Sequence, residues 1–368
     1  HPKIDVNIKS ITISIWNYIL NIFLNDKSPL SFAAETENPD IFDLILKNKR
    51  LVFDDFVLQK CNALKIINIP SSITFIGNYA FNFCQSLEEV KFPSNLKSIG
   101  KCAFNYCSSL KHISLPHSIT IIEEGTFYFC SSLIKVILSN ATTTIKNSAF
   151  FGCSSLCSID IPNSVNYIGE KAFQYCSSLN EIILPPSITS IEDETFSYCN
   201  SLTSINLNYS VQKIGKKAFS SCAKLEEVDI PPNISSLGSC CFYFCSSLKS
   251  FSIPSSMTTI DDYFFSCCCS LEIISIPFSV KTIGRYSFCN CSSLKYIVIP
   301  ASVTAIKEFA FSNCSSLISI SIPHSIISIE NHAFYMCTSL KQISIPSSVI
   351  SIGDYAFSRC SSLAHVIV

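Results

Sequence analysis

The sequence predicts a right-handed solenoid of about fourteen coils, one for each 23-residue repeat, with parallel β-sheets and short helical or 3₁₀ turns, preceded by a small α-helical segment. A cysteine recurs once per repeat without a slip, a leucine follows each of these cysteines by three residues, and apolar residues follow by six and eight. A strict period of this length is typical of stacked coils that bury one shared core. The ladder cysteines, as we call them, are Cys61, Cys84, Cys107, Cys130, Cys153, Cys176, Cys199, Cys222, Cys245, Cys268, Cys291, Cys314, Cys337 and Cys360.

Residues 1–50 do not follow this period. Residues 28–35 have the sequence SPLSFAAE and residues 39–46 the sequence PDIFDLIL. This pair of segments resembles one ankyrin repeat, in which a T-P-L-H-x-A-A helix leads to a second helix rich in leucine. The sequence therefore predicts a truncated, ankyrin-like helical segment over residues 1–50 that could cap the solenoid, with a generic helical cap as the alternative. Residues 51–368 form the predicted solenoid.

Each coil begins with a predicted strand. In one coil Ile159 and Ile161 alternate with polar residues, and Pro162 then ends the segment. Apolar residues at a period of two indicate a short strand with one buried side, and proline ends it because it has no N–H to donate. Successive strands of this kind must run parallel, which makes a right-handed coil the expected form.

A second apolar pair follows the turn in each coil, as in Val165 and Ile168, and predicts a shorter strand. Gly169 ends this strand, and residues 170–176 then have the sequence EKAFQYC. The alanine, phenylalanine and cysteine of this segment are spaced as on one face of a helix. We therefore expect one helical or 3₁₀ turn here, with the phenylalanine packed inward.

The repeat closely resembles the BspA-like, or Treponema-type, leucine-rich repeat, whose pattern is L-x-x-I-x-I-P-x-S-V-T-x-I-G-x-x-A-F-x-x-C. Residues 294–314 reproduce this pattern except at Lys307, which replaces the glycine, and similar matches extend over residues 51–368. Local departures, which we expect to loosen single coils, occur at Leu58, Ser139, Thr142 and Asn208. The resemblance implies a binding protein, often displayed on cells of bacteria or flagellate parasites and associated with adhesion to host cells or matrix.

The ladder cysteines are expected to be small buried side chains that each touch the cysteines of neighbouring coils. Their spacing is unlike that of zinc ligands, and a total of 21 cysteines, an odd number, favours reduced thiols over a closed disulfide framework. The other seven cysteines are scattered over different positions of the repeat. The sequence thus predicts no metal site.

No constellation of residues indicates catalysis or a cofactor. The six histidines are dispersed, and neither a Gly-x-Ser-x-Gly motif nor a glycine-rich phosphate loop is present. The formal net charge of −1 does not favour nucleic acid, and no apolar run reaches the ~18 residues of a membrane-spanning helix. We therefore expect a protein that is not an enzyme, without a cofactor, nucleic-acid partner or membrane insertion within this chain.

The predicted binding surface is the outward side of the first strand of each coil, five and seven residues after each ladder cysteine. These positions vary along the chain, whereas their inward neighbours do not. Acidic residues concentrate in the middle coils and a short apolar stretch follows, with a tyrosine of the kind that often anchors interfaces. The candidate residues are Glu181, Glu227, Asp229, Ile273, Tyr296 and Val298.

Three functions follow from this pattern as alternatives. The first is a scaffold for a protein ligand of unknown identity, for which the resemblance implies a role in adhesion. The second is a structural spacer or self-assembling surface protein, and the third is the binding region of a larger protein whose catalytic domain is elsewhere. Because Val368 lies within a predicted strand, an uncapped end is expected to favour self-association. The odd cysteine count and ankyrin-like segment favour the cytoplasm, whereas the resemblance implies the cell surface.

Overall fold

Two kinds of β-strand alternate along residues 52–367, the part of the chain that the computed structural model describes, except that three two-residue strands follow one another over residues 144–191. We call the three-residue strands the long strands and the two-residue strands the short strands. The long strands are β1 (Ile66–Asn68), β3 (Glu89–Lys91), β5 (His112–Ser114), β7 (Lys135–Ile137), β11 (Ser204–Asn206), β13 (Glu227–Asp229), β15 (Ser250–Ser252), β17 (Ile273–Ser275), β19 (Tyr296–Val298), β21 (Ser319–Ser321), β23 (Gln342–Ser344) and β25 (His365–Ile367). The short strands are β2 (Phe75–Ile76), β4 (Ser98–Ile99), β6 (Ile121–Ile122), β8 (Thr144–Ile145), β9 (Tyr167–Ile168), β10 (Ser190–Ile191), β12 (Lys213–Ile214), β14 (Ser236–Leu237), β16 (Thr259–Ile260), β18 (Thr282–Ile283), β20 (Ala305–Ile306), β22 (Ser328–Ile329) and β24 (Ser351–Ile352).

Like strands of neighbouring coils pair in parallel at a register of one repeat. Ile66 of β1 pairs with Glu89 of β3, and Phe75 of β2 pairs with Ser98 of β4. The predicted parallel-strand solenoid is therefore confirmed, but it has about thirteen turns, since thirteen short strands follow one another within residues 52–367. The right-handedness of the solenoid stays a prediction. The predicted ankyrin-like segment of residues 1–50 lies outside the described residues.

The two sheets are continuous over different parts of the solenoid. The long strands form unbroken sheets only at the two ends of the described chain, from β1 to β7 and from β19 to β25. Between them, β11 pairs with β13 and β15 pairs with β17, but β17 is not hydrogen-bonded to β19. The short strands run unbroken from β16 to β24. The boundary between β17 and β19 is therefore held by the short strands and the turns.

The segment before each ladder cysteine is a run of tight turns, so the predicted helical or 3₁₀ turn is wrong. In one coil the N–H groups of Lys217, Phe219 and Ser221 donate to carbonyls of the next coil along the chain, at 2.6–3.1 Å. The N–H groups between them donate to carbonyls three residues back in the same coil. Every second amide thus bonds to the next coil, which a helix cannot do because all its interior N–H groups bond within it.

Two backbone positions in every such segment are left-handed. One position lies five residues before the ladder cysteine and the other lies directly before it. Among residues 52–367, 26 non-glycine residues at these two positions have a positive φ, between 52° and 63°. None of the 26 is valine, isoleucine or threonine, whose branched side chains tolerate this conformation least. A helical interpretation of the sequence fails at these two positions, because helix formation requires negative φ throughout.

Phenylalanine rings form a continuous stack through the core. Thirteen rings, one per coil from Phe81 to Phe357, lie nearly parallel with successive centroids 4.9–6.0 Å apart. Each interior ring is thus covered on both faces by the rings of adjacent coils. Aromatic pairs at these separations add to the free energy of burying the rings.

The ladder cysteines run beside this stack and take part in hydrogen bonding. From Cys84 to Cys360 each Sγ lies 2.9–3.2 Å from the backbone carbonyl oxygen 26 residues earlier, which in all but one case belongs to a stacked phenylalanine. The thiol S–H group is the donor in each of these bonds, because a carbonyl oxygen can only accept. Burial raises the pKa of interior thiols such as Cys107 and Cys291 well above the ordinary value, whereas the hydrogen bond with Cys337 lowers the pKa of the half-buried Cys360. The neutral thiol is therefore the form that the core accepts.

Polar residues at the turn after each long strand also link the coils. The serine of the P-x-S turn donates from Oγ to a carbonyl of the preceding coil, for example Ser302 to Val280 at 2.5 Å. Where the proline is replaced, Asn208 Nδ2 donates to the Pro185 carbonyl and Asn208 Oδ1 accepts from the N–H of Ser210. The departures from the repeat thus add side-chain hydrogen bonds between or within coils.

Replacing Lys217 by valine tests the left-handed positions. Lys217 has φ of 54°, whereas its neighbour Lys216 is not among the positive-φ residues and is exposed. We expect Lys217→Val to lower the free energy of unfolding by about 1–2 kcal/mol, measured by urea denaturation. Lys216→Val is the matched control and should change it by less than about 0.5 kcal/mol. Equal effects of the two substitutions would contradict the assigned backbone.

Alkaline pH should destabilise the solenoid. The buried thiols have a raised pKa in the folded chain, so above the ordinary thiol pKa of about 8.5 the folded chain retains protons that the unfolded chain loses. The contribution of the neutral buried thiols to the free energy of unfolding is complete below that pH. At higher pH this free energy decreases by about 1.4 kcal/mol per pH unit for each buried thiol. We expect the urea midpoint, measured under reducing conditions, to fall steeply from pH 7.5 to 9.5. Cys199→Ala should reduce the slope, and a constant midpoint would contradict the prediction.

Candidate binding surface

The outward side chains of the long strands form one face of the solenoid, which we call the long-strand face. Each long strand from β1 to β23 presents its first and third residues outward and buries its second, as Ile274 is buried between Ile273 and Ser275 in β17. The leucine before the strand and the apolar residue after it are also buried in most coils. The outward positions are therefore free of the core, and their side chains can differ from coil to coil.

The predicted apolar residues lie together on this face. Ile273 is 71% exposed on β17, and Tyr296 and Val298 are 59% and 71% exposed on β19 in the next coil. Ile273 and Tyr296 occupy the same register of successive coils, so they are neighbours along the solenoid. An exposed tyrosine flanked by two aliphatic side chains is the kind of anchor on which interfaces depend.

The predicted acidic residues form a separate group. Glu227 and Asp229 are both exposed on β13. Glu181 is exposed two coils earlier, outside any strand, next to an isolated bridge between Ile183 and Asn206. The coil of β15, which presents Ser250 and Ser252, separates the acidic group from the apolar one. The structure thus unites Ile273, Tyr296 and Val298 but leaves the three acidic residues apart from them.

Charged side chains along the edge of this face pair across coil boundaries. Lys249 Nζ lies 2.6 Å from Glu226 Oε2, and Lys295 Nζ lies 3.7 Å from Glu272 Oε2. Exposed pairs of this kind contribute little to stability. The second pair places a positive charge near Glu272, the residue that precedes Ile273.

Two further features of the long-strand face were not predicted from the sequence. Ile183 is 77% exposed beside Glu181, although the alternation of the strand pattern could have identified it. Over the first coils, β1 to β7 line an open depression of about 880 Å³ whose walls include Ile66, Lys91, His112 and Lys135. This depression mixes basic, acidic and apolar groups, which makes it a second candidate region for a protein ligand.

A second aromatic stack lies at the turns and was also missed. Tyr263, Tyr286, Phe309, His332 and Tyr355 occupy the left-handed position five residues before successive ladder cysteines, with centroids 4.4–5.1 Å apart. The rings cover one another's faces and leave their edges to solvent. We therefore assign this stack to holding the coils together, and the signal that could have revealed it is the recurrence of aromatic residues there once per repeat.

Two kinds of site are not found among the described residues. Residues 52–367 contain no group of three or more histidine, cysteine or acidic side chains that could hold a metal ion. No helix among them is long and apolar enough to cross a membrane. The long-strand face is thus the surface on which the candidate residues concentrate.

Known proteins share this repeat and this fold. The family model described as a BspA type leucine-rich repeat region matches residues 52–180, 166–295 and 258–368. A leucine-rich repeat protein from Bacteroides ovatus is 33% identical, with 82% of this chain and 86% of that chain covered and a TM-score of 0.72. A leucine rich cell surface protein from Faecalibacterium prausnitzii is 30% identical over 86% of this chain and 82% of that chain, with a TM-score of 0.54. None of the curated proteins matches this chain.

Thiol labelling should follow the burial of the cysteines. Cys157 and Cys269 are exposed, whereas the ladder cysteines from Cys61 to Cys337 are buried. We expect iodoacetamide to label Cys157 and Cys269 of the native chain rapidly and the buried cysteines only after denaturant is added, because modification requires an accessible thiolate. Peptide mapping by mass spectrometry identifies the labelled positions. Rapid native labelling of the interior ladder cysteines would contradict the described core.

Proposed function

The chain belongs to the BspA-type leucine-rich repeat family, and we propose that it is a non-enzymatic scaffold that binds a protein ligand through its long-strand face. The observation that carries this proposal is the exposure of Ile273, Tyr296 and Val298 side by side on that face. Burial of these three side chains by a partner would remove apolar surface from water, at about 25 cal/mol per Å². Leucine-rich repeat solenoids typically bind proteins, which supports the same function.

The centre of the proposed site is Tyr296. Its ring can bury apolar area while its hydroxyl group still finds a hydrogen-bond partner, and its two neighbours Ile273 and Val298 can exclude water around it. Glu227, Asp229 and Glu181 lie further along the same face, where they would favour a partner that carries basic side chains. In this proposal the apolar group supplies affinity and the acidic group supplies selectivity.

Adhesion is the finer function that we propose for this surface. The similar protein from Faecalibacterium prausnitzii is described as a leucine rich cell surface protein. A face that extends over stacked coils suits a ligand that makes contacts with several coils at once. Self-association through the last coil is a further prediction, and sedimentation at increasing concentration tests it.

Substitution of Tyr296 tests the binding surface. Peptides are selected from a random display library on the whole chain, and their affinities are then measured on variants. We expect Tyr296→Ser or Val298→Ser to weaken binding at least tenfold, about 1.4 kcal/mol, because the anchor is removed. Tyr209→Ser is the matched control, since Tyr209 is 82% exposed but lies outside the long strands.

The outcomes separate the proposed surface from other surfaces. Peptides that lose affinity with Tyr296→Ser and retain it with Tyr209→Ser support the long-strand face. Peptides that bind both variants as tightly as the unchanged chain place recognition elsewhere on the solenoid and overturn the proposal. Urea denaturation of each variant verifies that the fold persists, which is expected because both side chains are exposed.

A further inference from the structure

Two cysteines outside the ladder lie beside each other across a coil boundary. Cys267 directly precedes the ladder residue Cys268, and Cys289 lies two residues before the next ladder residue, Cys291. The backbone N–H of Cys267 donates to the carbonyl oxygen of Cys289 at 2.7 Å. This backbone hydrogen bond makes the two residues direct neighbours across the boundary, and a disulfide requires Cα atoms about 4.4–6.8 Å apart.

The side chains at these two positions face each other in other coils. Tyr106 and Tyr128 stand in the same relation as Cys267 and Cys289, and their ring centroids are 6.0 Å apart. Phe129 and Phe151 repeat this relation one coil later, at 5.3 Å. Cys267 and Cys289 occupy equivalent positions, so their thiols are directed into the same space at the turn edge of the solenoid.

The two thiols differ in their access to solvent. Asn290 Nδ2 donates to Cys267 Sγ at 3.5 Å. Cys267 is half-buried, whereas Cys289 is buried. Burial, and then the neighbouring Cys267, raise the pKa of Cys289 to about 11. An oxidant from solvent therefore reaches Cys267 first and Cys289 second.

We propose that Cys267 and Cys289 are an oxidisable pair that forms a reversible disulfide, with a low-molecular-weight disulfide as the oxidant. The Cys267 thiolate attacks one sulfur of the oxidant, and the other sulfur leaves as a thiol and takes the proton. The Cys289 thiolate then attacks Cys267 Sγ and displaces the second thiol. The pair loses two electrons and two protons, and the oxidant disulfide is reduced to two thiols.

The disulfide would act on the region of the proposed binding surface. Cys267 lies in the turn that leads into β17, and Cys289 lies in the turn that leads into β19. These are the strands that carry Ile273 and Tyr296, and they are not hydrogen-bonded to each other. A covalent bond between the two turns would hold these strands at one separation. This consequence rests on the proposed function, whereas the disulfide itself does not.

Peptide mapping of the whole chain tests the disulfide. The chain is incubated with oxidised glutathione, alkylated and digested with trypsin without reduction. We expect a linked peptide that joins residues 250–281 to residues 286–295, lighter than the two peptides together by two hydrogen atoms. Fragment ions should place the bond between Cys267 and Cys289. A bond through Cys269 or Cys291, or glutathione on Cys267 with no linked peptide, overturns the proposal.

Serine variants define the two steps. Cys289→Ser should trap glutathione on Cys267, and Cys267→Ser should abolish the linked peptide. Serine already occupies the equivalent positions at Ser221 and Ser266, so both variants are expected to fold. Cys269→Ser is the matched control, since Cys269 is exposed and lies on the same tryptic peptide, and it should leave the link intact. Loss of the link in this control overturns the assignment to Cys267.

The effect on binding is measured separately. A peptide whose binding depends on Tyr296 should bind the oxidised chain at least threefold more tightly than the reduced chain, because β17 and β19 are already held in place. Cys289→Ser should show no such difference. Equal affinities of the oxidised and reduced chains overturn the effect on binding, whereas the peptide map decides the disulfide independently. A failure of the proposed binding surface itself would appear as equal peptide affinities for Tyr296→Ser and Tyr209→Ser.

Discussion

The structure depends on hydrogen bonds between equivalent positions of neighbouring coils. The strands pair at a register of one repeat, and every second amide of the turn segment donates to a carbonyl of the following coil. An insertion of one residue in a coil would shift that coil out of register with the coils on either side of it. The unvarying period of the ladder cysteines follows from this constraint, because each buried thiol must also reach a carbonyl of the preceding coil.

The same constraint explains which side chains the turns accept. Alternate N–H groups can donate to the next coil only if two residues per coil have a left-handed backbone. The backbone strain of these residues is tolerated because hydrogen bonds to both neighbouring coils hold each turn segment in place. Branched side chains are excluded at these positions, but aromatic, basic, polar and sulfur-containing ones are not. Stacked tyrosines and an oxidisable cysteine pair can therefore arise at the turn edge without any change of fold.

Sequence patterns predicted the buried side of the solenoid far better than its turns. The alternation around Ile274 correctly placed Ile273 on the outward side, because strand periodicity depends only on local geometry. The segment around Phe219 was interpreted as a helical turn because its apolar spacing fits one. Only contacts with the next coil distinguish the two forms, and such contacts do not appear in a local pattern. From Tyr263 to Tyr355 aromatic residues do recur once per repeat, but only the structure shows that their rings stack.

The sequence by itself determined the period, the parallel pairing, the family and the inward or outward direction of each strand residue, since all of these follow from which side chains recur in every repeat. The tertiary structure alone decided which outward residues come together. It separated the acidic residues of β13 from the apolar group by one coil, interrupted the sheet between β17 and β19, and brought Cys267 beside Cys289. These relations depend on the distance between coils and on the path of the turns, which residue types alone do not specify.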